Sequence, residues 1–477
     1  MACKDPSVLV IGAGLAGLAA GCHLIKGGLT RVTVLEAGDR IGGRIHSVPF
    51  GDDGETEDPA TVELGATWIH GKGPVNELAK TFDLIDCDLT EDEYYGMYVG
   101  SNGTKCNEEL VRKAREEFRK IIEELYGNKL SASSKTLYPT ILEYIQYRLD
   151  QVVETLPDND RNEFKDICRT LTKVEEENHG AALEDVSVFI PDSITPGNNI
   201  SLTGGYSALI SRLAHTVTDK RIHLKTEVIN IDYTNPEEVN VLCESENGAI
   251  MYTADHVIVT ISLGVLKNDH QILFNPGLPF EKIASISKLG YGTASKIILR
   301  YKTPFWSQHE GMKLVWRNDT TESNTNLPSW AKCLYTFNAM AANPYTLDVW
   351  LCGEEGKEIE TIPNDVIALV LTTVLRQFLN DPTIPEPDSI LKTSWFSNRQ
   401  FRGSYSYIRV GSTVEDVRIL AMPLVAKDNK PVLLFAGEAT DIDYLASTHG
   451  SLNSGIREAN RLLMRQMNTF ISHVKPC

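Results

Sequence analysis

Two hydrophobic periods alternate along this chain. "SVLVIGAGLAGLAAGCHLIKGGLTRVTVLEA" opens as an apolar β-branched run at Ser7, turns through glycines, continues at helical spacing and ends in a second β-branched run closing at Glu36. This pattern predicts a βαβ unit. From about Pro74 to Pro191 the period lengthens to that of long amphipathic helices. In "CNEELVRKAREEFRKIIEELYG", Leu110, Ala114, Phe118, Ile121 and Leu125 share one face, and Gly127 supplies the stop. Strand texture returns in "HLKTEVINIDY" and "ADHVIVTISLGVL", and strands and helices then alternate as far as Asn380. The final stretch carries "PVLLFAGEA", a buried strand, and the helical "SLNSGIREANRLLMRQM". The acidic "GDDGETED" reads as a solvated loop.

Composition narrows the class. The 477 residues, 42% hydrophobic and 23% charged, have the balance of a globular protein with room for two or more domains. No apolar run is long enough to span a bilayer, strand texture at Ser7 leaves no space for a secretory signal, and Lys475-Pro476-Cys477 is not a Ser-Lys-Leu address. A cytoplasmic protein without a membrane anchor is the expectation. A formal charge of -18 argues against nucleic acid as a partner and favours cations. Nine cysteines, with no CxxC pair or Cys/His cluster, provide neither a disulfide framework nor a metal site. The sequons at Asn102, Asn199 and Asn318 carry no weight in a chain read as intracellular.

The glycines of the βαβ unit carry chemistry. Gly12, Gly14 and Gly17 lie between strand and helix, and Glu36 ends the second strand. The first glycine suits a tight turn, the second a close approach of backbone to a diphosphate, and the third the packing of helix on strand; the helix N-terminus attracts the negative charge. A carboxylate at Glu36 suits a ribose 2′-hydroxyl. This unit alone leaves NAD and FAD open. The residues that follow, "RIGGRIHS", place Arg40, Gly42, Gly43 and Arg44 directly after the second strand and resemble the glycine–arginine extension of flavin amine oxidases, in which Arg44 would meet the pyrophosphate.

With "VELGATWIHG", "ADHVIVTISLGVLK", "KLGYGTASKIILRYKTPFW", "RGSYSYIRVGS", "LLFAGEAT" and "STHGSLNSGIREA" added in order, the sequence resembles the animal-type polyamine oxidase and spermine oxidase branch of the flavin amine oxidases over nearly its whole length. The resemblance implies an α/β fold in which a discontinuous Rossmann-like FAD domain (1–80, 197–278 and 388–477) is interleaved with an α+β substrate domain (81–196 and 279–387). It assigns Gly12, Gly14, Gly17, Glu36, Arg40, Gly43, Arg44, Gly65, Ala66, Thr67, Trp68, Val228, Trp395, Gly437, Glu438 and Thr448 to FAD. Gly403-Ser404-Tyr405 stands where monoamine oxidases tether their flavin through a cysteine, so the cofactor is expected to be non-covalent.

The implied reaction removes a hydride equivalent from a carbon beside nitrogen, leaving an imine that water hydrolyses, with O2 reduced to H2O2. Lys296 matches the lysine that holds a water at flavin N5, and His70 of "WIHG" matches a histidine facing the substrate channel. Glu175 of "KVEEENHG" aligns with an acid that grips a distal amine, with Glu176 and Glu177 readable as a solvated face. Tyr405 resembles the aromatic wall beside the flavin, and Ser447 and Thr448 complete the substrate side. The expected partners are thus a polyamine and O2. Departures fall at "GEATDIDYLASTHG", where Asp441, Ile442, Leu445 and Ala446-Ser447 replace the usual residues, and at Ser262, where proline is common. These leave spermine, N1-acetylspermine and N1-acetylspermidine open as substrates, and the alternatives are another amine or amino-acid oxidase or a flavin-binding protein without turnover.

Overall fold

The computed structural model describes residues 5–51, 61–91, 93–127, 129–190, 199–306, 311–318, 327–340, 343–426 and 428–473. The acidic loop after Gly51, the C-terminal Lys475-Pro476-Cys477 and the boundary expected at 196/197 lie outside them. The βαβ unit forms as predicted. Strand β1 (Val8–Ile11) leads into helix α1 (Leu15–Lys26) and strand β2 (Val32–Leu35), with Glu36 just past the last strand residue.

Around β1, a six-stranded sheet runs in the order Leu424–Val425, Pro431–Phe435, His256–Val259, β1, β2 and Ile222–His223. All pairings are parallel except that of Leu424–Val425. Strands buried on both faces explain why these runs read as continuous apolar stretches rather than alternating ones. The C-terminal helix Thr448–His473 packs on α1 closely enough that a methyl on Gly455 would meet the Ala16 carbonyl at 2.2 Å. Chain segments far apart in sequence thereby share one core.

A second six-stranded sheet joins Ser389–Lys392, Ala294–Arg300, Thr346–Cys352, Thr336–Ala339, Met312–Val315 and Met97–Gly100. Its first strand falls beyond residue 388, yet it pairs antiparallel with Ala294–Arg300 in this sheet. Three helices, Glu108–Tyr126, Ile141–Glu154 and Asp158–His179, pack a separate core. The helical stripe read from sequence is buried, Asn107 caps that helix by accepting from Glu109 N and Leu110 N, and Gly127 ends it.

Two readings change. "HLKTEVINIDY" divides into Ile222–His223 and Thr226–Asp232, broken at Lys225, whose φ of 51° is left-handed. "ADHVIVTISLGVL" is only half strand. The chain leaves the sheet after Val259, and Ser262 starts helix Leu263–Leu273 by accepting from Val265 N at 3.2 Å. Short apolar runs do not distinguish a buried strand from a helix start. Among the described residues, no helix is long and apolar enough to cross a membrane.

Gly17 offers a direct test of this packing, because a methyl there would lie 1.9 Å from the Gly12 carbonyl oxygen, whereas one on Gly277 would meet nothing within 4 Å. Gly17→Ala should cost about 1–3 kcal/mol through overpacking. Thermal melts should show this loss for Gly17→Ala and little change for Gly277→Ala.

Candidate active site

One continuous cavity of 1230 Å³ reaches from the end of β1 to the second sheet. That exceeds the roughly 300–1,000 Å³ of ordinary ligand pockets, giving room for a dinucleotide and a second ligand. At the β1 end, Gly12 turns with φ 107°, and Gly14 brings no side chain to the N-terminus of α1. The N–H groups of its first turn are thus open to an anion. A methyl on Gly43 would stand 3.3 Å from Gly14 Cα, so two loops meet there through bare backbone. Glu36 is aimed by its neighbours, accepting from Ala13 N and Gly38 N at 2.8 Å each. Val228 lines the same end.

Two cradle residues work differently from expectation. Gly17 lies off the cavity and holds α1 against the turn. Arg40 also does not line it: its guanidinium donates to the carbonyls of Ile41, Gly43 and Ile45 at 2.7–3.2 Å, bracing the glycine loop from within. Arg44 does reach the cavity, donating to Ser404 O at 2.6 Å and Glu438 Oε1 at 2.9 Å. The other oxygen of Glu438 accepts from Ser406 Oγ at 2.5 Å. Bare glycine backbone, a helix N-terminus, a fixed guanidinium and an oriented carboxylate together fit a dinucleotide with its diphosphate and ribose.

Lys296 occupies the middle of the cavity wall. It lies on strand Ala294–Arg300 opposite Trp350 and is 3% exposed. Its ammonium donates to Glu63 O at 3.0 Å and to Gly65 O and Thr67 Oγ1 at 2.5 Å, and stands 4.5 Å from the centre of the Trp350 ring. Burial lowers its pKa to about 8, against the opposing pull of Asp348, Glu63 and Glu177. A methyl on Gly65 would overlap the Arg44 carbonyl at 1.9 Å, so Gly65 lets the Gly65–Trp68 segment lie against the arginine loop. Ala66, Thr67 and Trp68 line the cavity beside it, as do Gly437 and Trp395, whose indole N–H donates to Leu64 O at 3.2 Å.

Tyr405 lines the cavity and donates its hydroxyl to the Glu177 carbonyl. Thr448 pairs with the Tyr206 hydroxyl at 2.6 Å. Ser447 and Thr448 both line the cavity; Ser447 also donates to Tyr444 O and accepts from Gly450 N, capping the C-terminal helix. His70 opens to the cavity while protein surrounds it, and burial lowers its pKa. Its Nδ1 lies 2.8 Å from Asn199 Oδ1 and so carries the proton, leaving Nε2 as an acceptor. His449 lies beneath, donating from Nε2 to His70 O at 3.0 Å and accepting at Nδ1 from Val75 N at 3.1 Å.

Glu175 requires correction. It is fully buried behind the cavity and does not line it, accepting from Tyr94 OH at 2.6 Å, from Tyr126 OH and from Asn178 Nδ2 at 3.2 Å. Glu177, two residues on, turns to the other side of helix Asp158–His179 and lines the cavity together with Glu93 and Asp348. Burial raises the pKa of all three. Glu176 pairs with Lys173 at 2.9 Å. Sequence reading also passed over Asn199, visible only as a sequon, and Lys313, Asn338 and Trp350 on the second sheet, which no local motif marks.

The departures divide evenly: Asp441, Ile442 and Leu445 lie off the cavity, and Ser262, Ala446 and Ser447 line it. Asp441 is buried, accepting from Tyr444 N at 2.9 Å and Asn453 Nδ2 at 2.7 Å, and Leu445 packs in the core. Ala446, with φ 63°, stands in the cavity wall between Leu445 in the core and Ser447, which lines the cavity as well.

Residues 15–463 match the family described as flavin containing amine oxidoreductase. The chain is 32% identical to the peroxisomal N(1)-acetyl-spermine/spermidine oxidase of Homo sapiens, over 96% of this chain and 95% of that one. It is 29% identical to probable polyamine oxidase 5 of Arabidopsis thaliana, over 98% and 100%. Its fold matches cyclohexylamine oxidase from Brevibacterium oxydans with a TM-score of 0.70 at 17% identity, over 97% and 99%. The chain belongs to the flavin containing amine oxidoreductases and is a flavin-dependent amine oxidase.

Proposed function

We propose that this enzyme is a polyamine oxidase that holds FAD non-covalently. The observation carrying the reading is one cavity that joins a diphosphate cradle, a buried lysine and a wall bearing three carboxyls, Glu93, Glu177 and Asp348. The polyamine substrates for which the human and Arabidopsis relatives are named support it. In this reading residues 1–80, 197–278 and the chain after strand Ser389–Lys392 hold the cofactor, and the remainder holds the substrate.

A secondary amine of a spermine-like chain loses a hydride equivalent from its neighbouring carbon. The resulting imine hydrolyses to an aldehyde and a shorter amine, while O2 becomes H2O2. FAD supplies the two-electron acceptor when bound, cradled by Gly12, Gly14, Glu36, Gly43, Arg44, Val228, Gly437 and Glu438. The chain's own residues prepare the substrate. The carboxyl wall draws in the cationic chain, and the lone pair of His70 Nε2 accepts from a substrate N–H. The reacting nitrogen must be neutral for its lone pair to assist hydride loss. Burial beside the Lys296 ammonium disfavours a second cation there and so releases that proton.

Anaerobic mixing of the flavin-loaded enzyme with spermine or N1-acetylspermine should bleach the absorbance near about 450 nm. No bleaching by either would remove the reading. Lys296→Met should slow bleaching by about 10²-fold, the usual scale for a positioned proton-handling group. The same substitution tests the lowered pKa. Between about pH 8 and 10.5 the unfolded lysine binds a proton that the folded one has lost, so stability rises with pH through this group. Melts across that window should therefore show the wild type gaining on Lys296→Met, and a constant difference would contradict the shift.

A further inference from the structure

The polyamine-oxidase reading gives no role to a buried cation in the carboxyl wall. Lys313, on strand Met312–Val315, is 2% exposed and lines the same cavity as Glu93, Glu177, Asn338 and Asp348. Its ammonium donates to Asn338 Oδ1 at 3.2 Å, and its charge opposes the raised pKa of all three carboxyls. A cation is an odd fixture in a wall meant to receive another cation.

We infer that Lys313 sets end-group specificity, making this wall a receptor for an uncharged amide rather than a terminal ammonium. The inference rests on the polyamine-oxidase reading and names the substrate end that the wall accepts. A terminal ammonium entering here meets carboxyls already countered by Lys313, and meets Lys313 itself as a like charge. A terminal carboxylate meets three acids. A secondary amide such as an acetamide meets neither penalty: its carbonyl accepts from a donor of the Lys313–Asn338 pair, and its N–H donates to Glu177, whose Oε1 also accepts from Thr336 Oγ1 at 3.3 Å. Matching both a donor and an acceptor is the recognition that rejects a ligand lacking either.

The test compares spermine with N1-acetylspermine by kcat/KM in the flavin-loaded wild type and in Lys313→Met, with Lys313→Arg as the charge-retaining control. The wild type should prefer the acetylated substrate. Lys313→Met should move the ratio toward spermine by tenfold or more, and Lys313→Arg should leave it near the wild-type value. A wild type that prefers spermine, or a Lys313→Met ratio equal to the wild-type ratio, overturns the inference while leaving polyamine oxidation standing. If Lys313→Met does not fold, Glu177→Gln gives the converse measurement: loss of an acid should move the ratio further toward the acetylated substrate, and an unmoved ratio overturns the inference. Turnover of neither substrate by the wild type removes the reading beneath it and the inference together.

Discussion

An ammonium in a protein interior is costly unless fixed acceptors replace its water. Lys296 meets that demand with two carbonyls, one hydroxyl and the face of Trp350. The carbonyls belong to Glu63 and Gly65, so holding this charge also holds the segment that carries Thr67, Trp68 and, one strand on, His70. The same segment lies against Arg44 through Gly65, where no side chain would fit. One buried cation therefore ties the second sheet to the arginine loop of the first, and the cavity is the space between them.

Along that cavity each cation stands among one or more acids. Arg44 faces Glu438 near the glycine turn, Lys296 stands within reach of Asp348 and Glu63, and Lys313 lies among Glu93, Glu177 and Asp348. Neutral imidazoles at His70 and His449 add polarity without charge, because burial lowers the pKa of both. A site built this way discriminates by small differences in local balance rather than by one dominant field. The protein's charge of -18 brings cations near.

Helix Asp158–His179 shows where sequence reading stops. Its three consecutive glutamates were visible, and an acid there was expected to face the substrate. Residues two apart on a helix lie about 200° apart. Glu175 and Glu177 must therefore face nearly opposite ways, and packing chose: Tyr94 and Tyr126 take Glu175 into the core, and the cavity takes Glu177. The place of Asn199 in the cavity wall stayed hidden for a related reason. Its partner is His70, 129 residues earlier in the chain.

Sequence by itself determined the parts whose geometry is local. The glycine turn, the helix that follows it and the carboxylate closing the second strand lie within a few turns of chain, where backbone sterics and hydrogen bonding decide the outcome. The helical stripe from Leu110 to Leu125 was readable for the same reason. Tertiary structure alone decided that Glu177 rather than Glu175 lines the wall, and that Lys313 joins it. Each of those outcomes depends on which distant element packs against a given face, and burial and charge compensation between remote residues leave no periodic mark on the sequence.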